Sequence, residues 1–226
     1  DMFPGPLGHS LAGRALAEGR WRLAVQDMRE HGLGRHRQVD DTPAGGGPGM
    51  VLRVDVLAAA VDAALAADPG LPVIAMTPRG RALTQARVRE LAAGPGVILV
   101  AGRFEGFDER IFHARPVEPL SVGDVVLSGG ELPAMLVMDA CVRLLPGVMG
   151  AAESAAEESF GPSGLLEYPH YTRPASFEGL DIPEILRSGD HAAVARWRAA
   201  MAHADTLARR PDLLAGPASA STGETR

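Results

Sequence analysis

The sequence predicts an α/β domain with a parallel sheet, followed by a smaller helical unit. Three observations lead there. Apolar strand-like runs alternate with helical segments through the first 149 residues, the pattern of a sheet with helices on its faces. One of the runs, Val97 to Ala101 (VILVA), is apolar without interruption, as a strand covered on both sides must be. The composition then changes at Gly150. Residues 150–164 (GAAESAAEESFGPSG) are small, acidic and glycine-bearing and read as a linker, and the segment after them has little β pattern.

In chain order, Asp1 to Ser10 reads as a loop, Leu11 to Glu18 as a short helix and Leu23 to Val25 as a strand fragment. Arg35 to Met50 (RHRQVDDTPAGGGPGM) ends in a glycine-proline loop that excludes regular structure. Val51 to Ala67 carries apolar residues at helical spacing. Val73 to Met76 reads as a strand, Thr77 to Gly80 as a turn, and Thr84 to Ala93 as a helix capped by Thr84. After the VILVA strand, Glu105 to His113 fits a short helix and Val122 to Leu127 another strand. Glu131 to Leu145 fits a longer helix stopped by Pro146-Gly147. In the second part, Asp190 to about Leu207 is helical, and the tail PASASTGETR has the composition of a disordered segment.

Composition narrows the chemistry. All 22 cationic residues are arginine, so there is no Walker lysine, no Schiff-base lysine and no lysine base. A net charge of −6 provides no overall nucleic-acid signature, leaving only local arginine patches for such contacts. One cysteine, Cys141, excludes an internal disulfide and a cysteine metal cluster. The seven histidines are scattered without metal-ligand spacing. With no apolar run of membrane length and no signal pattern after Asp1, a soluble cytoplasmic protein is expected.

Several motifs were weighed against plainer roles. Gly8-His9-Ser10-Leu11-Ala12 falls short of a nucleophile elbow, having Ala at its fifth position and a Pro/Gly loop before it. Gly45 to Gly49 lacks the spacing of a dinucleotide or phosphate-binding loop. Paired acids at Asp40-Asp41, Asp108-Glu109 and Glu157-Glu158 are solvated faces unless a substrate proton comes within reach. Trp197 between Arg196 and Arg198 is a buried tryptophan with solvated neighbours, or a stacking and phosphate site. The stretch with the most to say is Gly102 to Met138. Its two glycine-rich turns, GRFEG and LSGGELP, flank an acidic segment and let backbone amides approach a small molecule.

Taken in order, RHRQVDDTPAGGGPGM, GRFEGFDER, SVGDVVLSGGELPA, PHYTRP and SGDHAAVARWR closely resemble the bacterial tRNA (guanine-N1)-methyltransferases of the SPOUT class, from Asp1 to about Leu214. The resemblance implies a trefoil-knotted parallel-sheet domain over residues 1–149, a linker at 150–164, and a helical tRNA-binding domain at 165–226. It implies S-adenosylmethionine as methyl donor, tRNA as substrate, and a homodimer with a shared active site. Residues matching the family's donor-binding positions are Gly102, Val122, Gly123, Asp124, Val125, Val126 and Leu127. Pro78, Glu105, Gly106, Ser128, Gly129, Gly130 and Leu132 match other positions of the knot loops.

The implied reaction methylates N1 of the guanine just 3′ of the anticodon. A linker carboxylate acts as base and an arginine on the preceding helix assists. Those positions fall on Glu158, where the family has aspartate, and on Arg143. Arg35, His36, Arg37, Asp40, Arg173, Arg196 and Arg198 are expected to bind the substrate, and Asp40 to Met50 matches the loop near the target guanine. The family is associated with magnesium, but no oxygen cage in the sequence identifies its ligands. Phe104 stands where many members have tyrosine. A further short strand, upstream of Asp1 in the family, is expected to be missing from the sheet. Two alternatives stay open: a SPOUT methyltransferase with another RNA target, and an RNA-binding homologue impaired in catalysis.

Overall fold

The computed structural model describes residues 2–149 and 158–215. The chain divides into two compact units, Asp1–Gly150 and Ala151–Arg226.

The first unit is built on a parallel sheet in the order β4-β3-β5, with β3 (Val73–Ala82) between β4 (Ile98–Val100) and β5 (Val117–Ser121). Strand β3 begins Val-Ile-Ala-Met, and all four residues are buried. Because strand side chains alternate, they feed two cores. Val73 and Ala75 join Leu57, Val61, Val100, Ile111 and Val117 on one face. Ile74 and Met76 join Leu91, Leu120, Ala134 and Val137 on the other. Helix α2 (Val54–Ala67) covers the first face, while α3 (Gln85–Ala93) and α5 (Glu131–Val142) cover the second. Removing a side chain such as Ile74 or Leu57 from water stabilises the unit by about 1.5–3 kcal/mol each.

Local signals explain where these elements stop and start. The Thr84 hydroxyl accepts from Arg87 N at 3.3 Å and caps α3, as its sequence position predicts. A β-hairpin lies before α2: β1 (Asp40–Asp41) pairs antiparallel with β2 (Val51–Leu52). The expected helix over Val51 to Ala67 therefore opens with a strand pair. A short helix α1 (Ser10–Ala17) occupies the position read for it. Ala15 packs there with Val142 and Val148 in a separate small core.

Several expectations are corrected. Leu23 to Val25 forms no strand, and Val25 is exposed. Thr77 to Gly80 is not a separate turn but the middle of β3. There the register against β5 jumps, so that Met76 and Arg81 both pair with Leu120. Gly80 permits this. A Cβ there would stand 2.3 Å from Leu120 N, closer than any real side chain comes. The helix read at Glu105 to His113 shrinks to one turn, α4 (Ile111–Ala114), because Glu105 and Gly106 are drawn into backbone bonds with Met50 and Leu52. Val122 to Leu127 is a loop. The pairing strand is the preceding Val117–Ser121, and Gly123 at φ +143 turns the chain out of the sheet.

The second unit holds α6 (His191–Arg209), preceded by a small hairpin of β6 (Ser176–Phe177) and β7 (Leu180–Asp181) that the sequence reading did not anticipate. Asp190 caps α6, its carboxylate accepting from Ala193 N at 2.9 Å. Thr206 is fully buried. Its hydroxyl donates to Ala202 O at 2.6 Å and accepts from Leu166 N at 2.9 Å, fastening the segment after the linker to the helix. Residues 150–157 of the linker and the tail PASASTGETR lie outside the described residues.

Candidate active site

Beside the middle of β3 and beyond the carboxyl ends of β4 and β5, this strand and two loops border a cleft of about 210 Å³. This is where parallel α/β sheets generally hold ligands. The middle of β3 contributes Thr77, Pro78 and Arg79. The loop after β4 contributes Gly102 to Phe107. The loop after β5 contributes Val122, Gly123, Val125 to Leu127, Gly129 and Gly130. Of the residues the sequence resemblance assigns to the methyl donor, Pro78, Gly102, Glu105, Gly106, Val122, Gly123, Val125, Val126, Leu127, Gly129 and Gly130 therefore share one cleft. Asp124 and Leu132 do not line it, and Leu132 faces a second cleft.

Glycine serves two purposes in these walls. A Cβ on Gly102 would stand 2.5 Å from the Phe107 ring, and one on Gly130 2.8 Å from Ala101 Cα. Here the chain segments touch where a side chain would otherwise be, and Gly130 N donates to Gly102 O at 2.7 Å across the contact. Gly106 and Gly123 differ: both have positive φ, and nothing lies within 4 Å of a built Cβ. Nothing stands over their Cα atoms, while their amides are held within the loops, Gly106 N donating to Arg103 O at 3.3 Å and Gly123 N to Ser121 Oγ at 3.2 Å. Above them, Val125, Val126 and Leu127 are 57%, 89% and 45% exposed, a run of apolar side chains turned to solvent. Exposed apolar side chains beside bare backbone suit a flat, uncharged ring with polar edges.

Both arginines that line the cleft are paired. Arg103 Nε donates to the largely covered Glu131 carboxylate at 2.7 Å. Arg79 meets Glu109 at 2.9 Å. Arg110 binds the Asp108 carboxylate through Nε and Nη2, a hydrogen bond that holds the Asp108 carboxyl below the usual carboxylate range. Cys141 lies away on α5, where burial pushes its thiol up to about 11, so it is no nucleophile.

A second, larger cleft of about 570 Å³ runs between the N-terminal segment and α5. It is lined by His9, Ser10 and Leu11 on one side and by Leu132, Leu136, Asp139 and Arg143 on the other. Arg143, the proposed assistant to the base, is the C-cap of α5 and is half-buried. Glu158 belongs to the second unit, where its carbonyl accepts from Gly161 N at 3.0 Å. Its neighbour Glu157 lies outside the described residues.

The candidate RNA-binding residues fall in both units. Arg35, His36 and Arg37 sit exposed on a tight turn closed by Leu33 and Gln38. Asp40 follows on β1, at the base of the hairpin. In the second unit Arg173 and Arg196 are exposed, whereas Arg198 is half-buried with its guanidinium 4.6 Å from the centre of the Tyr168 ring. Tyr171 packs against Trp197 at 6.3 Å between ring centres. Among the described residues no group of three or more His, Cys, Asp or Glu is arranged to hold a metal. None of the described helices is long and apolar enough to cross a membrane.

The sequence gives no role to Phe107, whose ring fills the space of Gly102, and places Gly49-Met50 near the target base without their contact with Glu105. Spacing alone carried a signal for neither contact.

The family model described as tRNA (guanine-1)-methyltransferase TrmD matches residues 1–216. A protein named tRNA (guanine-N(1)-)-methyltransferase from Sphingopyxis alaskensis is 67% identical over 213 residues, covering 94% of this chain and 86% of its own length. Its namesake from Rhizorhabdus wittichii matches to the same extent. That from Nitrobacter winogradskyi is 63% identical over 226 residues, covering all of this chain and 94% of its own. The chain thus belongs to the tRNA (guanine-1)-methyltransferase family of enzymes.

Proposed function

We propose that this enzyme transfers a methyl group from S-adenosylmethionine to N1 of the guanine immediately 3′ of the anticodon in tRNA. The observation that carries the reading is the cleft between the middle of β3 and the loops after β4 and β5, lined by glycines and by apolar side chains turned to solvent. Those walls fit the methyl donor. Adenine is planar and uncharged, so backbone groups of Gly102, Val126 and Leu127 can bond its edge while Val125 to Leu127 cover its faces. A donor without phosphate also needs no phosphate-binding lysine, and the chain has none.

The donor supplies an electrophilic methyl on a sulfonium. The rest falls to the protein. Guanine N1 carries a proton at neutral pH, so a base must remove it as the N1–methyl bond forms and the sulfur–methyl bond breaks. Glu158 takes that proton. Arg143 donates to guanine O6, where negative charge develops, and such stabilisation is worth most where water is excluded. Glu158 reaches one methylene farther than the aspartate of the resembled family, so its segment must sit back by about an ångström to hold the same geometry. Arg35, His36, Arg37, Arg173, Arg196 and Arg198 contact the RNA backbone, giving affinity that falls as salt rises. Asp40 and the hairpin loop after it lie beside the target base.

The reading also includes a trefoil knot in the first unit, a tRNA-binding role for the second, a homodimer that shares the active site, and a cytoplasmic location. The decisive experiment is methylation of an unmodified tRNA transcript with guanine at the target and of one without it. Transfer only to the first is expected. Glu158→Ala should lose at least about a hundredfold in single-turnover rate, as loss of a general base does. An undiminished Glu158→Ala enzyme sinks the role of Glu158. Equal methylation of both transcripts sinks the assignment of the target.

A further inference from the structure

The hairpin loop at residues 42–50 meets the cleft loop at residues 102–107 in one place. Glu105 N donates to Met50 O at 2.9 Å, Leu52 N to Gly106 O at 3.0 Å, and Asp108 N to Leu52 O at 3.2 Å. The Glu105 side chain lies directly on Gly49. A Cβ on Gly49 would stand 2.2 Å from Glu105 Oε1, 2.5 Å from its Cγ and 2.7 Å from its Cδ. Gly45, Gly46 and Gly47 of the same loop have nothing within 4 Å of that position. Gly49 is therefore the glycine of this loop whose missing side chain leaves room for another group, and that group is a carboxylate lining the cleft.

We propose that Gly49 is a positioning residue for Glu105: the hairpin seats the Glu105 side chain, and with it one wall of the methyl-donor cleft. A glutamate side chain has three rotatable bonds and keeps a bearing only if something walls it in. Here the wall is bare backbone. The Met50 carbonyl fixes the Glu105 amide, and Gly49 lets the carboxylate fold back onto the hairpin. A Cβ at Gly49 would stand in the seat of the exposed Glu105 side chain, which yields by rotating away by about an ångström or more, and loss of position on that scale can cost up to about a hundredfold in rate. The proposal rests on the functional reading above, because Glu105 matters to catalysis only if the cleft holds the donor.

The test is a cycle of four proteins: wild type, Gly49→Ala, Glu105→Ala and the double variant. Each is read by single-turnover methylation of a tRNA transcript, by calorimetric titration with S-adenosylmethionine, and by melting temperature. Gly49→Ala should lower the rate about tenfold or more. In the Glu105→Ala background the same change should alter it less than about twofold, since partners acting through one contact are not additive. Gly70→Ala is the strain control. Gly70 has φ +80 against +84 at Gly49, nothing lies within 4 Å of its built Cβ, and it sits in the turn before β3. It should leave donor affinity at the wild-type value.

Additive losses in the cycle overturn the proposal, as does a Gly70→Ala loss of donor affinity equal to that of Gly49→Ala. If Gly49→Ala does not fold, a wild-type-like melting transition in the double variant supports the proposal, and an unfolded double variant overturns it. The underlying reading fails separately, if the wild-type protein neither binds the donor nor methylates the transcript. In that event the melting temperatures of the cycle still decide whether Gly49 acts through Glu105.

Discussion

Two glycine-rich regions of the first unit look alike as text and differ in space. In the hairpin loop, Gly45, Gly46 and Gly47 all have positive φ and face open space. In the cleft loops, Gly102, Gly129 and Gly130 are crowded, so that an added Cβ would meet a ring, a carboxylate or backbone within 3 Å. The first set supplies conformations that other residues resist. The second supplies proximity, letting two chain segments close on each other and leave a thin-walled cleft. A glycine count cannot separate these uses, whereas substitutions can.

The largest effect is expected at the crowded set. Gly130→Ala places a methyl against the Ala101 and Gly102 backbone, which cannot swing aside as a side chain can. It should cost about 2–3 kcal/mol of stability, in the range of overpacked cores, and abolish measurable titration by S-adenosylmethionine. A Gly130→Ala protein with wild-type melting temperature and donor affinity would break the comparison. Next comes Val126→Ser. Val126 is 89% exposed, so stability should hold, whereas donor affinity should fall about tenfold through loss of its apolar cover. Unchanged affinity in calorimetry would mean that the exposed run is not part of the donor's seat.

A smaller effect is expected in the open set. Gly46→Ala meets no neighbour and bears only the left-handed backbone cost of about 1–2 kcal/mol, with donor affinity in the absence of RNA unchanged. A large loss of donor affinity there would erase the distinction. The smallest effect concerns pH. The hydrogen bond from Arg110 depresses the Asp108 carboxyl in the folded protein. Its contribution is therefore present above the unfolded value near 4 and lost as pH falls through the folded one. Asp108→Asn should melt below wild type at pH 7 by no more than about 3 °C, because the arginine is exposed, and the difference should close in acid. A gap that widens toward low pH would reverse the assigned sign.

Much of the first unit was legible because its physics is local or periodic. Val73 to Met76 had to be a buried strand and Thr84 had the right chemistry for a cap; Val97 to Ala101 does hold the strand β4, but at an edge of the three-stranded sheet with only Val100 buried. The misreadings have a common cause. Val122 to Leu127 was taken as a strand because apolar runs are usually buried, yet here the pairing partner of β3 is Val117–Ser121 and the apolar run faces the cleft. Glu105 to His113 was read as a helix because its preference is local, while backbone bonds to Met50 and Leu52, distant in sequence, prevailed. The cleft residues were reached through resemblance to a family, not through spacing. No pattern in one chain reveals that the Phe107 ring lies where a Gly102 side chain would be, or that Glu105 rests on Gly49.

The position of β3 at the middle of the sheet also bears on how the chain is made. Its apolar start, Val73 to Met76, leaves the ribosome well before either neighbour: it pairs with Ile98 to Val100 on one side and, farther on, with Val117 to Leu120 on the other. Until β4 emerges both edges of this sticky strand are unpaired, and until β5 emerges one still is. Sheets of this kind pair late and slowly, and their waiting strands are prone to associate with the wrong chain. Nascent chains halted between β4 and β5 should therefore be held by chaperones far more than chains halted just beyond Ser121.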